Sequence, residues 1–132
     1  MTPEGLIARV SRHDPKTTMD RLAAAASKRG ATVVARVDHA AAAAAVGLAL
    51  PPTEVLVFGN PKAGTPLMQA AQTIGIDLPL RALVWRDASG ATHVGYNDPH
   101  WLARRHGAEV GNEAILKAMA DFLAAVAEEA AV

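Results

Sequence analysis

One hairpin motif sets the sheet type of this chain: Leu80-Arg-Ala-Leu-Val-Trp-Arg86, then Asp87-Ala-Ser-Gly90, then Ala91-Thr-His-Val-Gly-Tyr-Asn97. The two outer runs alternate between apolar and polar residues, which is typical of strands with one buried face. The residues between them are turn formers, so the two runs are expected to pair as an antiparallel hairpin. The motif therefore favours a sheet that is largely antiparallel.

Three further strands and five helices are predicted around this hairpin. The strands are Gly5–Ser11, Ala31–Asp38 and Glu54–Gly59. The third of these is the most apolar, so we expect it in the middle of the sheet. Three of the helices begin with an N-cap residue followed by proline, a strong start signal. The helices are predicted from Pro15 up to Gly30, His39 to Val46, Pro66 to Ile74, Pro99 to His106 and Asn112 to about Ala130.

The order of these elements predicts the fold class. Helices separate the first strands, whereas the fourth and fifth strands form the hairpin, which does not fit a doubly wound parallel sheet. We expect an α+β fold, a two-layer α/β sandwich with a mixed, largely antiparallel sheet. At 132 residues the chain is predicted to form a single domain, residues 1–132. Its C-terminal amphipathic helix, about residues 112–130, should lie across one face of the sheet.

Composition argues against several classes of partner. Thirteen basic and thirteen acidic residues cancel, so no net field attracts nucleic acid or an anionic membrane. No uncharged run is long enough for a transmembrane helix. The sequence starts without the basic and apolar segments of a secretory signal, which predicts a cytoplasmic protein. Cysteine is absent, so thiolate chemistry and disulfides are excluded, and any metal would need His, Asp or Glu.

The segment Gly59-Asn60-Pro61-Lys62-Ala63-Gly64-Thr65 is the strongest candidate site. It is predicted to be a loop between a buried strand and the start of a helix at Pro66. Free backbone N–H groups and the helix dipole favour anions at such a place, and Lys62 adds a positive charge. Asn60 and Thr65 can donate hydrogen bonds. The alternative is a purely structural turn, and the spacing lacks the lysine position of a nucleotide-binding P-loop.

A second candidate is the pair Asp38 and His39 at the end of the second predicted strand. The carboxylate can orient the imidazole as a general base or as a metal ligand, and His39 is the one candidate for a metal. The alternative is that Asp38 caps the short alanine-rich helix and His39 is an ordinary residue of its first turn. Asp77 and Tyr96, polar residues beside strand ends, complete the set of candidates. The cofactor, if one exists, is not specified by these residues.

Several of these segments together resemble a known family. They are Val37-Asp38-His39, Pro52-Thr53-Glu54-Val55-Leu56-Val57-Phe58-Gly59-Asn60-Pro61-Lys62-Ala63-Gly64-Thr65-Pro66-Leu67-Met68 and Asp77-Leu78-Pro79-Leu80. The combination resembles domain-of-unknown-function family 302. The resemblance implies a compact α+β domain similar to TATA-binding-protein-like folds, which pairs as a homodimer in the bacterial cytoplasm. It implies no activity, so the candidate residues carry over as motif positions alone.

Three hypotheses follow from the sequence. The first is a homodimeric domain that binds a small molecule or anion at the 59–65 loop, with His39, Asn60 and Lys62 as polar contacts, and with a metal or haem as a possible component. The second is an enzyme in which His39, oriented by Asp38, is the general base while Lys62 stabilises negative charge. The third is a structural or partner-binding domain without a ligand. The first two require His39 and Lys62 to share one hollow.

Overall fold

The computed structural model describes residues 2–132 and contains five strands, five α-helices and one 3-10 helix. The strands are β1 (Leu6–Ser11), β2 (Thr32–Asp38), β3 (Thr53–Gly59), β4 (Leu80–Arg86) and β5 (Thr92–Asn97). The helices are α1 (Pro15–Lys28), α2 (His39–Ala45), α3 (Pro61–Ala70), α4 (Pro99–His106) and α5 (Glu113–Ala131), and the 3-10 helix is Gln72–Asp77. All predicted strands are present, and the C-terminal helix lies within one residue of its predicted ends.

The five strands form one sheet in the order β1-β5-β4-β3-β2. Each of its four described strand pairs is antiparallel, so the mixed component of the predicted sheet is wrong and the antiparallel component is confirmed. The central strand is β4, and β3 lies between β4 and the edge strand β2. The apolar β3 is therefore an interior strand but not the middle one.

The predicted hairpin forms as expected between β4 and β5. The Asp87 carboxylate holds its turn by accepting hydrogen bonds from the Ser89 amide and hydroxyl, at 2.9 and 2.6 Å, and from the Ala91 amide at 3.0 Å. His93 Nε2 donates to the other carboxylate oxygen at 2.6 Å. The bonds from Ser89 and then from His93 keep the pKa of the Asp87 carboxyl well below its ordinary value.

The helices α1 and α5 cover one face of the sheet, and they also contact each other. Strand side chains on this covered face are buried in the core with residues of both helices, as in Leu56, Phe58 and Val84. The strand register places Leu83 and Trp85 on the opposite face, where both remain partly exposed. We call this opposite face, toward which Leu83 and Trp85 point, the bare face. Two layers, sheet and helices, thus confirm the predicted α+β architecture.

The helix predicted from Pro66 to Ile74 is misplaced. It begins at Pro61 and ends at Ala70, with Pro66 inside it, and Gln72–Asp77 forms the separate 3-10 helix. The reason is that Asn60-Pro61 is itself a cap followed by proline: the Asn60 side chain accepts a hydrogen bond from the Lys62 amide. Pro66 removes one amide donor from the helix interior.

Candidate functional site

The segment predicted as an anion-binding loop is the first turn of α3, and its donors are already used. Pro61 has no N–H group. The Lys62 amide donates to Asn60 Oδ1 at 2.9 Å, and the Ala63 and Gly64 amides donate to the Asn60 carbonyl at 2.9 and 3.1 Å. An anion would have to displace these bonds, so these amides are not free donors of the kind that the sequence predicted. The side chains of Asn60, Lys62 and Thr65 are exposed.

Asp38 caps the helix α2, and His39 is a residue of its first turn, as in the alternative given from the sequence. Asp38 Oδ1 accepts a hydrogen bond of 2.9 Å from the Ala41 amide and so caps α2. His39 is the first residue of that helix, and its side chain is exposed. In residues 2–132 no group of three or more His, Asp or Glu side chains is placed to hold a metal ion.

His39 and Lys62 do not share a hollow. β2 and β3 are antiparallel, with Asp38 opposite Glu54 and Thr32 opposite Gly59. His39 therefore lies at one end of this strand pair and Lys62 beyond the other end, about 20 Å apart at ~3.4 Å per residue. A general base must come within hydrogen-bond reach of its substrate proton. Within one chain, His39 and Lys62 are therefore too far apart to act together on one substrate.

Asp77 belongs to a clamp between the 3-10 helix and α4. Its carboxylate accepts hydrogen bonds from Arg105 Nη1 at 2.7 Å and from His106 Nε2 at 2.5 Å. The other ring nitrogen of His106, Nδ1, lies 2.9 Å from the Thr73 hydroxyl. The His106 side chain is only 8% exposed. We call Thr73, Asp77, Arg105 and His106 the Asp77 clamp; it joins two elements that are distant in sequence.

Tyr96 is a core residue of β5. It is 8% exposed and faces the helices, opposite Ala82 of β4. Burial raises the pKa of the Tyr96 phenol, and the Asp98 carboxylate raises it further. Of the seven candidate residues, the structure brings only Asn60 and Thr65 together at one cavity.

That cavity has a volume of about 320 Å³ and lies between α3, the start of β2 and the 3-10 helix exit; we call it the α3 cavity. Its wall is mainly apolar, formed in large part by Val34, Met68, Leu78, Leu80 and Met119. Polar groups come from Thr32, Asn60 and Thr65. Sequence reasoning missed the wall because its residues come from five separate elements and share no motif.

A second groove, of about 590 Å³, lies where the N-termini of α1 and α2 approach each other. Its charged lining residues cancel: Lys16, Arg36 and Arg86 against Asp14, Asp38 and Glu54. The carboxylates are also engaged, two as helix caps and that of Glu54 in a salt bridge of 3.0 Å with Arg36. This groove offers no net charge to a ligand.

The cap role of Asn60 can be tested by stability. Asn60→Ala is expected to lower the free energy of unfolding by about 1 kcal/mol, because the Lys62 amide loses its acceptor. Asn60→Asp keeps the acceptor and should stay near the wild type. Chemical unfolding of the three proteins measures both effects, and equal stability of all three would show that the cap contributes nothing.

The crystal structure of an uncharacterized conserved DUF302 protein from Bacillus stearothermophilus superposes with a TM-score of 0.85, at 19% identity over 97% of this chain and 99% of that one. The fold is therefore shared between the two proteins. Among residues 2–132, no helix is both long enough and apolar enough to cross a membrane.

The curated relatives of this chain are named as ion channels and not as DUF302 proteins. The chain is 48% identical over 127 residues to Fluoride-specific ion channel FluC 1 of Brucella suis biovar 1, covering 96% of this chain and 50% of that protein. It matches Fluoride-specific ion channel FluC 2 of Brucella melitensis biotype 1 equally well, over 47% of its length. The chain thus spans about half the length of the curated relatives it matches.

A family model settles the membership. The model described as Domain of unknown function DUF302 matches residues 7–126, which include all five strands except the first residue of β1. The matched range also contains the Asn60 helix start, the Asp77 clamp and most of α5. This chain belongs to the family described as Domain of unknown function DUF302.

Proposed function

We propose that this chain binds a small, mainly apolar molecule in the α3 cavity. The observation that carries the proposal is the cavity itself: about 320 Å³, with a wall of Met, Leu and Val side chains. Ligand sites in proteins are concave, mainly apolar and about 300 to 1,000 Å³ in volume. Two of the wall residues, Met68 and Met119, have flexible side chains that adapt to ligands of different shape.

The polar groups at the cavity can orient a bound molecule, but they carry no charge with which to recognise an ion. Asn60, Thr32 and Thr65 are neutral and can hydrogen-bond one hydroxyl or amide of a ligand. The amides of the first turn of α3 are already bonded, so they favour no anion. The ligand class that fits is a neutral molecule with an apolar body and one polar end.

A substitution that fills the α3 cavity with a larger side chain tests this proposal. Gly64 borders the cavity, and a Cβ at this position would lie 3.6 Å from Leu78 Cδ1, an ordinary contact. Gly64→Met is expected to fill the cavity and to weaken the binding of indole and octanol by at least tenfold. Gln69→Met adds the same side chain to an exposed position of α3 and serves as the matched control.

Titrations followed by thermal shift and by NMR measure these affinities. The wild type and Gln69→Met should bind alike. Absence of any binding to the wild type by indole, octanol and related neutral compounds would overturn the proposal, as would unchanged binding by Gly64→Met.

The family resemblance adds a homodimer and a cytoplasmic location to this proposal. Both stay proposals: the first is measured by the mass of the protein in solution and the second by cell fractionation.

A second candidate function is favoured by the names of the curated relatives. Proteins named fluoride-specific ion channels carry a segment 48% identical to this chain in about half of their length. This candidate is a companion domain that modulates such a channel. Fluoride efflux from vesicles containing the Brucella suis relative, with and without its matched segment, tests it. An efflux rate that is the same in both cases would contradict it.

A further inference from the structure

The imidazole of His106, the last residue of α4, is bonded on both ring nitrogens by side chains of the 3-10 helix. Its Nε2 donates to Asp77 Oδ2 at 2.5 Å, and its Nδ1 lies 2.9 Å from the Thr73 hydroxyl. The side chains of His106 and Asp77 are 8% and 20% exposed, whereas Thr73 is exposed. An enclosed base thus lies between a carboxylate and the hydroxyl of an exposed residue.

The carboxylate fixes the direction of these hydrogen bonds. Asp77 takes hydrogen bonds from both Arg105 and His106, and an ionised carboxylate only accepts, so Nε2 of the ring carries the hydrogen. In the neutral imidazole Nδ1 is then unprotonated, and the Thr73 hydroxyl donates to it. The nitrogen that can take a proton therefore faces a hydroxyl. This is the arrangement of a nucleophile with its general base and an orienting third group.

Two other imidazoles in the described part of the chain pair with an aspartate, and neither has this arrangement. His93 Nε2 lies 2.6 Å from Asp87, and its ring stacks on Trp85 at the bare face. His100 Nδ1 lies 3.3 Å from Asp98, the cap of its own helix, and its side chain is 44% exposed. The order hydroxyl, imidazole, carboxylate thus occurs once among the described residues.

A positive charge lies beside this imidazole. Arg105 Nη1 donates at 2.7 Å to the same Asp77 oxygen, Oδ2, that accepts from His106. The Arg105 side chain is 52% exposed. A guanidinium has five N–H donors, so those that do not bond to Asp77 can stabilise negative charge on a bound substrate. These surroundings suit a reaction in which a substrate oxygen gains negative charge.

We propose that Thr73, His106 and Asp77 form an acyl-transfer site for carboxylic esters. Thr73 Oγ1 attacks the carbonyl carbon, and its proton passes to His106 Nδ1. The bond from this carbon to the alkoxide oxygen breaks, and Nδ1 gives the proton to that oxygen, so an alcohol leaves. Asp77 is a positioning residue that holds the ring and stabilises the imidazolium, and Arg105 stabilises the oxyanion. Esters are the fitting class because a hydroxyl is a weak nucleophile and an alkoxide leaves more readily than an amide nitrogen.

Water completes the cycle. A water molecule attacks the carbonyl carbon of the acyl-threonine and gives a proton to His106 Nδ1. The bond to Thr73 Oγ1 breaks, this oxygen takes the proton back from Nδ1, and a carboxylic acid leaves. The net change converts one ester and one water into one acid and one alcohol. The three side chains do not line the α3 cavity, so this inference is independent of ligand binding there.

Substitution of Thr73 tests the inference with p-nitrophenyl acetate as substrate. Thr73→Val replaces the hydroxyl by a methyl group and should lower kcat/KM by about a hundredfold or more, whereas Thr73→Ser should stay within about tenfold of the wild type. Thr17→Val makes the same change at an exposed position of α1 and should keep the wild-type rate. A wild type no faster than buffer, or a folded Thr73→Val protein as fast as the wild type, would overturn the inference.

A covalent trap distinguishes attack by Thr73 from a direct reaction of the imidazole. Diisopropyl fluorophosphate transfers its phosphoryl group to an activated hydroxyl and releases fluoride. Mass spectrometry should find this group on Thr73 of the wild type and should find no modification of Thr73→Val. Modification at another residue, or no modification of the wild type, would overturn the inference.

The role of Asp77 is measured by kcat and KM separately. Asp77→Asn keeps an acceptor oxygen but loses the negative charge that stabilises the imidazolium, so kcat should fall by about tenfold or more while KM for p-nitrophenyl acetate stays the same. An unchanged kcat in the folded variant would contradict the positioning role. Indole binding at the α3 cavity is measured separately, so failure of either proposal is recognised independently of the other.

Discussion

Replacing Phe58 by alanine should lower the free energy of unfolding by about 3 to 5 kcal/mol, one of the two largest effects expected in this chain. Phe58 is fully buried, and its ring centroid lies 5.9 Å from that of Phe122 on α5. Its side chain connects the inner face of β3 to the helix layer, so truncation leaves a cavity and removes an aromatic pair. Unfolding in guanidinium chloride measures the loss.

The control for Phe58 is an exposed apolar residue. Leu48 is 66% exposed, and Leu48→Ala is expected to change stability by less than about 0.5 kcal/mol. Comparable losses for the two variants would contradict the assignment of the core to the α1 and α5 side of the sheet.

Replacing Asp77 by alanine should cost about 2 to 3 kcal/mol of stability. The change leaves the enclosed His106 and the Arg105 guanidinium without their shared acceptor, and hydrogen bonds to charged groups are stronger than neutral ones. Asp77→Asn keeps one acceptor oxygen and should lose less. The same unfolding experiment measures both variants.

An exposed ion pair provides the comparison for Asp77. Asp121 pairs with Lys117 at 2.8 Å, but both side chains are largely exposed, so Asp121→Ala should cost less than about 0.5 kcal/mol. If Asp77→Ala were equally mild, the hydrogen bonds of the Asp77 clamp would contribute nothing measurable to stability.

The fold was largely predictable because local signals and long-range pairing agree. The turn at Asp87 to Gly90 joins two alternating runs, and a hairpin is a local structure whose register follows from its turn. The heptad-like spacing of Leu116, Met119 and Leu123 likewise predicts α5, and all three are buried. These elements need no knowledge of distant residues.

The start of α3 was predicted wrongly because two equivalent signals lie close together. Asn60-Pro61 and Thr65-Pro66 both pair a capping side chain with a proline, and the sequence does not rank them. The structure uses the first pair, and it places Pro66 inside the helix. That choice removes the free amides on which the predicted anion site depended.

The two candidate motifs lie apart for a reason of topology. Residues that follow two consecutive strands lie at the same edge of a parallel sheet, but at opposite ends of an antiparallel pair. Asp38 and Gly59 end β2 and β3, which are antiparallel, so the two motifs separate.

Other parts of the site could not be predicted because they depend on contacts between distant elements. The Asp77 clamp joins residues 29 positions apart. Met119 reaches the α3 cavity from α5, more than fifty residues after Met68. Neither pairing leaves a spacing pattern in the sequence.

Methionine methyl NMR tests the central claim, ligand binding in the α3 cavity, most directly. Met68 and Met119 line the cavity, whereas Met19 is fully buried in the core and does not line it. With methyl-labelled methionine, titration with indole should shift the Met68 and Met119 signals and leave that of Met19 in place. Signals from Met68 and Met119 that do not move at saturating indole, or that move no more than that of Met19, would contradict the account.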